Sequence, residues 1–195
     1  MKNRLPMLKI LPALGLVVVF GNGCSNNTKG DEAAPVYLTV AFDSQSITRY
    51  KNVGDGTLLA ADQMTVTGFL KVPGNGGSPF NNVQLDAYVV EWKRTDGGTK
   101  TPATERFDSS IIVPVPGVSN MKNFPFMSLP AVQAAPFDQL FPFNGGLDRE
   151  TRRTEIDCTA TVTVIGHTIS GSPVSAVGQF PITFYYRAPA AKVNP

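Results

Sequence analysis

From Ile156 onward the apolar side chains fall on every second position: Ile156, Cys158, Ala160, Val162 and Val164 alternate with Asp157, Thr159, Thr161 and Thr163. A period of two gives an extended strand one dry face and one wet face. A break rich in turn residues follows, with Gly166, Ser170, Gly171, Ser172 and Pro173. Phe180, Ile182, Phe184 and Tyr186 then alternate with Gln179, Pro181, Thr183 and Tyr185. Two such runs across a polar turn predict a β-hairpin within residues 153–186. An isolated hairpin is marginal in water, so its apolar face requires a second sheet from the rest of the chain. On this reading Cys158 and Val162 point inward, while Asp157 and Thr161 face solvent.

The preceding segments supply candidates for that sheet. Residues 36–43 alternate Val36, Leu38, Val40 and Phe42 against Tyr37, Thr39, Ala41 and Asp43, which predicts a first strand. Residues 45–63 are mixed and polar, with Gly54-Asp55-Gly56 as a turn. A second strand is expected over 64–72, where Gly68 shares the face of Met64, Val66, Leu70 and Val72 and marks a bulge or a close sheet contact. In 83–94, a third strand, Val83, Leu85, Ala87 and Val89 share one parity and Tyr88, Val90 and Trp92 the other. One extra residue re-aims every later side chain, so a β-bulge is expected near Val89. Residues 106–115 form a fourth strand around Ile111, Ile112 and Val113, closed by Pro114 and Pro116.

Residues 117–147 do not alternate. Pro125, Pro130, Pro136 and Pro142 stand among Phe124, Phe126, Phe137, Phe141 and Phe143. So many prolines exclude a central strand or a long helix, leaving at most one helical turn over 131–135. Charged residues make up only 16% of the chain, against 18 glycines and 16 prolines, which favours many short strands over long helices. Residues 36–188 are therefore expected to form one all-β domain, an antiparallel β-sandwich, followed by a tail over 189–195.

Residues 1–23 have the order of a signal peptide. Lys2, Arg4 and Lys9 form a basic region, and an apolar run follows from Ile10 to Phe20. That run is short for a bilayer span, and small residues come after it. Gly21-Asn22-Gly23-Cys24 resembles the lipobox of bacterial lipoproteins, in which the cysteine is acylated and becomes the first residue of the mature protein. Gly23 and Cys24 match its last two positions, whereas Gly21 stands where the family usually has Leu, and Asn22 where Ala or Ser is more usual. Residues 24–35 then look like a flexible polar tether. The resemblance implies attachment to a membrane through Cys24 and an extracytoplasmic place in a bacterial cell envelope. Ser25 follows the cysteine, where an Asp favours inner-membrane retention, so the resemblance implies the outer membrane. With lipidation, Cys158 is a small buried hydrophobe; without it, a Cys24–Cys158 disulfide remains open in an oxidising compartment.

Trp92 on a third strand, followed by Cys158, Ala160, Val162, Val164 and Gly166 on the penultimate strand and by a closing hairpin, resembles an immunoglobulin-like sandwich. The chain departs from antibody domains in having no cysteine on its second strand, so their inter-sheet disulfide is absent.

Catalytic patterns are sparse. His167 is the one histidine, and its place in the break between the two runs reads as a solvent-exposed turn. No Gly-x-Ser-x-Gly elbow or phosphate-binding glycine loop is present. Asp96, Asp108, Asp138, Asp148, Glu150 and Asp157 lack the spacing of a calcium loop. Glu155 and Asp157 lie on a wet strand face near Arg152 and Arg153, as cross-strand pairing and solubility require. A net charge of +2 is too small to suggest nucleic acid. The expectation is a binding or structural module without catalysis, metal or cofactor, with another envelope protein as partner. Phe124, Phe126, Phe137, Phe141 and Phe143 are the candidate contact residues, most of them packed and one or two exposed at the loop tip. The alternatives are a hydrolase with dispersed carboxylates or His167, and a glycan or small-ligand binder using aromatic residues such as Tyr185 and Trp92. Mass spectrometry of the membrane-extracted mature protein should show a lipid on an N-terminal Cys24; an unmodified N-terminus elsewhere, or a Cys24–Cys158 disulfide, contradicts this.

Overall fold

The hairpin forms the middle of the larger of two sheets. The computed structural model describes residues 34–42, 50–75 and 77–188, so residues 1–33, with Cys24, lie outside the described residues. Eight strands are described: β1 (Val36–Phe42), β2 (Tyr50–Asn52), β3 (Leu59–Leu70), β4 (Val83–Arg94), β5 (Glu105–Val113), β6 (Gly117–Met127), β7 (Glu155–Thr168) and β8 (Pro173–Tyr185). They form a three-stranded sheet in the order β1-β3-β6 and a five-stranded sheet in the order β2-β8-β7-β4-β5. All pairs are antiparallel except β2 with β8. The class is all-β, and the larger sheet curls. Among the described residues no helix is long and apolar enough to cross a membrane.

Along β7 burial alternates without a break from Glu155 to Thr168, with Cys158 and Val162 inside and Asp157 and Thr161 half-buried on the outer side. The strand runs through Gly166 and His167, which the sequence assigned to the turn; the turn begins after Thr168. Gly166 breaks the apolar pattern for another reason. It lies opposite the bulge of β4, where the register steps from Leu85–Gly166 to Ala87–Ile165. A side chain at Gly166 would run into the Gln84 carbonyl, so glycine permits the close approach. The bulge therefore falls at Asp86 rather than near Val89; it leaves Asp86 and Ala87 both on the outer side and turns Tyr88, Val90 and Trp92 inward.

Two strands were not foreseen. β2 is a three-residue strand within the polar stretch 45–63, too short for a period to show. β6 occupies the first third of the Phe/Pro segment, at the edge of its sheet, where Pro125 is tolerated. Its pattern is hidden because inward residues change parity, from Met121 to Phe124 and Phe126. Asn123, at φ 50°, takes the left-handed conformation at that step, one that Asn tolerates better than most residues. The helical turn is present but sits at Leu129–Val132. The second strand begins earlier than expected, at Leu59. In the fourth, Val113 is buried while Ile112 is exposed.

The sheets meet through a chain of ring contacts. Phe107 on β5 stacks on Tyr88 on β4 (5.0 Å between centroids), which meets Phe124 on β6 (3.8 Å). Phe124 packs on Phe126 (5.0 Å), and Phe126 on Phe180 of β8 (4.6 Å). Phe180 meets Trp92 edge-on (6.5 Å), Trp92 meets Phe184 (5.7 Å), and Phe184 stacks on Phe137 of the crossover (4.0 Å). The alternation on β7 has a direct test. Val162→Asp buries an unpaired charge and should cost several kcal/mol, whereas Thr161→Asp, on the outer side opposite Glu91, should cost no more than about 1 kcal/mol. Equal melting temperatures for the two variants would contradict this assignment of the faces.

Candidate functional site

The two ends of the two-sheet domain differ in chemistry. One is the entry end, where Ala34 leads into β1 and Val36 pairs with Leu70. The other is the crossover end, where residues 128–154 connect β6 to β7.

At the crossover end Ser128 caps the single helical turn, its hydroxyl accepting from the Ala131 N–H at 3.3 Å. A short 3-10 turn, Phe137–Leu140, then drives Phe137 into the core against Phe184. A second such turn, Pro142–Asn144, ends at Gly145 in the left-handed region (φ 113°) and returns the chain to the surface. Of the five candidate phenylalanines, Phe124, Phe126 and Phe137 are thus core residues. Phe141 is half-buried and Phe143 is 82% exposed, the most open large apolar side chain described.

Phe141 and Phe143 stack at 5.3 Å, and Phe141 also meets Tyr186 at 5.3 Å. Tyr186 in turn lines an open groove of about 570 Å³ together with Tyr50, Tyr185, Thr154 and Glu155. The tyrosines are positioned by the parallel pairing of β2 with β8. Just beyond it, Asn52 and Arg187 are joined by two bonds of 2.9 Å: the Asn52 amide donates to the Arg187 carbonyl, and the Arg187 N–H donates back to the Asn52 side-chain oxygen. Five rings from three chain segments therefore form one surface, with the Glu155 carboxylate at its margin. Tyr185 was a candidate from sequence. Tyr50 and Tyr186 were not, because their meeting depends on a strand too short to read. Trp92, named with Tyr185 as a glycan-binding candidate, is 7% exposed and belongs to the core.

A buried ion cluster braces this end. Arg94, the last residue of β4, donates to Asp96 through Nε (2.8 Å) and Nη2 (2.7 Å), and through Nη2 to Asp148 (2.9 Å). All three side chains are essentially inaccessible. Gly98 lies against the guanidinium, where any side chain would collide with it. Glu150 accepts from the Thr99 and Lys100 backbone N–H groups at 2.6 and 3.0 Å, tying the same loop to the crossover. Burial by itself raises the Asp96 and Asp148 carboxyls, but the bonds and charge from Arg94, with backbone donors, more than offset it and hold both below their ordinary value.

The other polar candidates are separate. His167 stands on the outer face of β7, half-exposed, with Nδ1 2.9 Å from the carboxylate of Asp86, the bulge residue of β4. Asp157 is held by Arg153 (2.9 Å) and the Thr183 hydroxyl (2.6 Å). Asp108 lies 3.7 Å from Arg106. Burial pushes the Cys158 thiol up to about 12, so it stays protonated near neutrality. Among the described residues no three His, Cys, Asp or Glu side chains gather in a metal-holding group. A second groove, of about 510 Å³, opens between the free edges of β5 and β6 over Tyr88, Phe107 and Phe124, with Arg106 and Lys122 among its other lining residues. No family model matches the chain, and no curated protein or solved structure matches it either.

Arg94→Met should destabilise by about 3–5 kcal/mol in urea unfolding at pH 7, because it strands two buried carboxylates. Both folded-state carboxyl values are depressed, so the cluster's contribution is complete above the ordinary carboxylate value of about 3.9 and is lost as pH falls through the lower folded values. The variant should lose that part of the acid-side decline; an unchanged stability–pH profile contradicts the assignment.

Proposed function

We propose that this chain is a lipid-anchored, extracytoplasmic binding module of a bacterial cell envelope, built on an immunoglobulin-like sandwich and acting without catalysis. The lipobox-like Gly23-Cys24 supports the anchor, and Ser25 supports an outer-membrane placement. The strand orders β1-β3-β6 and β8-β7-β4 support the immunoglobulin-like assignment, following the A-B-E and G-F-C orders of that fold. Trp92 and Cys158 stand on the C-like and F-like strands, β4 and β7.

The observation that carries the binding role is the surface of Tyr50, Tyr185, Tyr186, Phe141 and Phe143. Aromatic side chains offer large contact area at small entropic cost and are enriched at interface hot spots. Phe143 projects into water beside Phe141 without contributing to the core, so its position serves a contact rather than stability. The partner on this reading is another envelope protein. A glycan ligand is the second reading, favoured by three tyrosines around an open groove with Glu155 at its margin. A hydrolytic role would use His167 with Asp86 to orient it; that pair lines neither of the two grooves described.

Partner capture from envelope extracts by the membrane-anchored protein tests the reading. Phe143→Ala and Tyr50→Ala should leave unfolding unchanged and weaken capture about tenfold, whereas Phe137→Ala should cost about 3–5 kcal/mol of stability. Undiminished capture by both surface variants rejects the protein-binding site. Saturable binding of an oligosaccharide that is lost in Tyr50→Ala would replace it with the glycan reading.

A further inference from the structure

The entry end has its own exposed apolar surface. Phe80 is 65% exposed, Val72 57% and Ile169 48%. Phe80 and Ile169 come from loops far apart in sequence that are bonded together: the Ser170 N–H donates to the Phe80 carbonyl (3.2 Å) and the Ile169 N–H to the Asn82 carbonyl (2.8 Å). The Asn82 side chain accepts from the Val115 N–H at 3.0 Å, which ties in the third loop of this end. Val72 follows Lys71, whose N–H donates to the Pro35 carbonyl at 2.9 Å, so the chain enters the domain beside these loops.

Charge sets this end apart. Segments 72–82, 114–116 and 168–173 contain no Asp, Glu, Lys or Arg, while 128–154 at the opposite end contains Asp138, Asp148, Arg149, Glu150, Arg152 and Arg153. Loops tipped with Phe, Ile and Val, with exposed Lys71 as the charge at their flank, are costly to leave in water and inexpensive to place in the interfacial region of a bilayer. The tether length bears on the same point. Residues 25–33 separate Cys24 from Ala34, and so short a stretch of chain reaches at most roughly 35 Å.

We infer that the entry end is a membrane-contact surface: Phe80, Ile169 and Val72 rest on the lipid bilayer that holds Cys24. The inference rests on the lipid-anchor reading proposed above. It orients the domain with its loops on the lipid and its aromatic groove turned away, toward the partner. The apolar tips act as a second attachment beside the acyl chains and limit tumbling on the tether.

The test uses full-length protein, expressed and processed in cells, extracted from membranes and reconstituted into phosphatidylethanolamine/phosphatidylglycerol vesicles with brominated acyl chains. Phe80→Trp and Ile169→Trp report on the entry end and Phe143→Trp on the opposite end. The signal of buried Trp92 is subtracted using the unsubstituted protein, and Cys24 acylation is read on the same samples by mass spectrometry. The expected result is emission from Phe80→Trp and Ile169→Trp quenched at least threefold more than that from Phe143→Trp. Acylated protein in which the three reporters are quenched equally overturns the contact and leaves the anchor standing. Unacylated protein that still shows the difference supports the contact and rejects the anchor; unacylated protein without it rejects both. A blue-shifted but unquenched Phe80→Trp assigns the surface to a protein contact and overturns the inference.

Discussion

Everything else in this domain depends on the continuous run of ring contacts between its two sheets. Aliphatic residues of β1 and β3 such as Leu38, Val40 and Val66 supply part of the core, and the rings supply the rest. Phe124 and Phe126 on β6 close the gap from one side, and Phe137 from the crossover closes the end against Phe184. Aromatic pairs in edge-on and stacked geometry add about 0.5–1.5 kcal/mol each beyond their buried area. No disulfide joins the sheets among the described residues, and Cys158 is a free buried thiol, so the sheets are joined by packing alone.

The Phe/Pro segment is what makes this arrangement available. Its first part is an edge strand, its middle a plug, and its last part an exposed tip. Proline and short 3-10 turns alternate the direction of the chain, so that Phe137 goes in and Phe143 comes out within seven residues. The Arg94 cluster then fixes the same crossover to the end of β4. Charged groups thereby concentrate at the end that carries the aromatic groove, and the loops 72–82, 114–116 and 168–173 at the other end carry no charged side chain, with Lys71 at their border. That asymmetry underlies both the proposed binding role and the proposed orientation on a membrane.

Residues whose environment follows from a local period were legible from sequence. Ile156 to Val164 and Phe180 to Phe184 are buried in strict alternation, as their pattern requires. The parity change in β4 was legible as a bulge, displaced to Asp86 because only the partner strand reveals where the backbone bends. What depends on distant partners was not legible. His167 looked like a turn residue because Gly166 looked like a break; in fact that glycine accommodates the bulge. Arg94 meets Asp148 across 54 residues of sequence, and Tyr50 joins Tyr186 through a three-residue strand. β6 has no readable period because Asn123 changes the inward parity midway.

Rings from the Phe/Pro segment and from the closing hairpin meet between the two sheets and help hold them together. A double-mutant cycle between Phe126 and Phe180, whose centroids are 4.6 Å apart between the two sheets, measures this directly. Unfolding of the single alanine variants and the double variant should give a favourable coupling of about 0.5–1.5 kcal/mol. Strict additivity, with each single substitution costing less than about 1 kcal/mol, would mean that the rings do not meet and that something else joins the sheets.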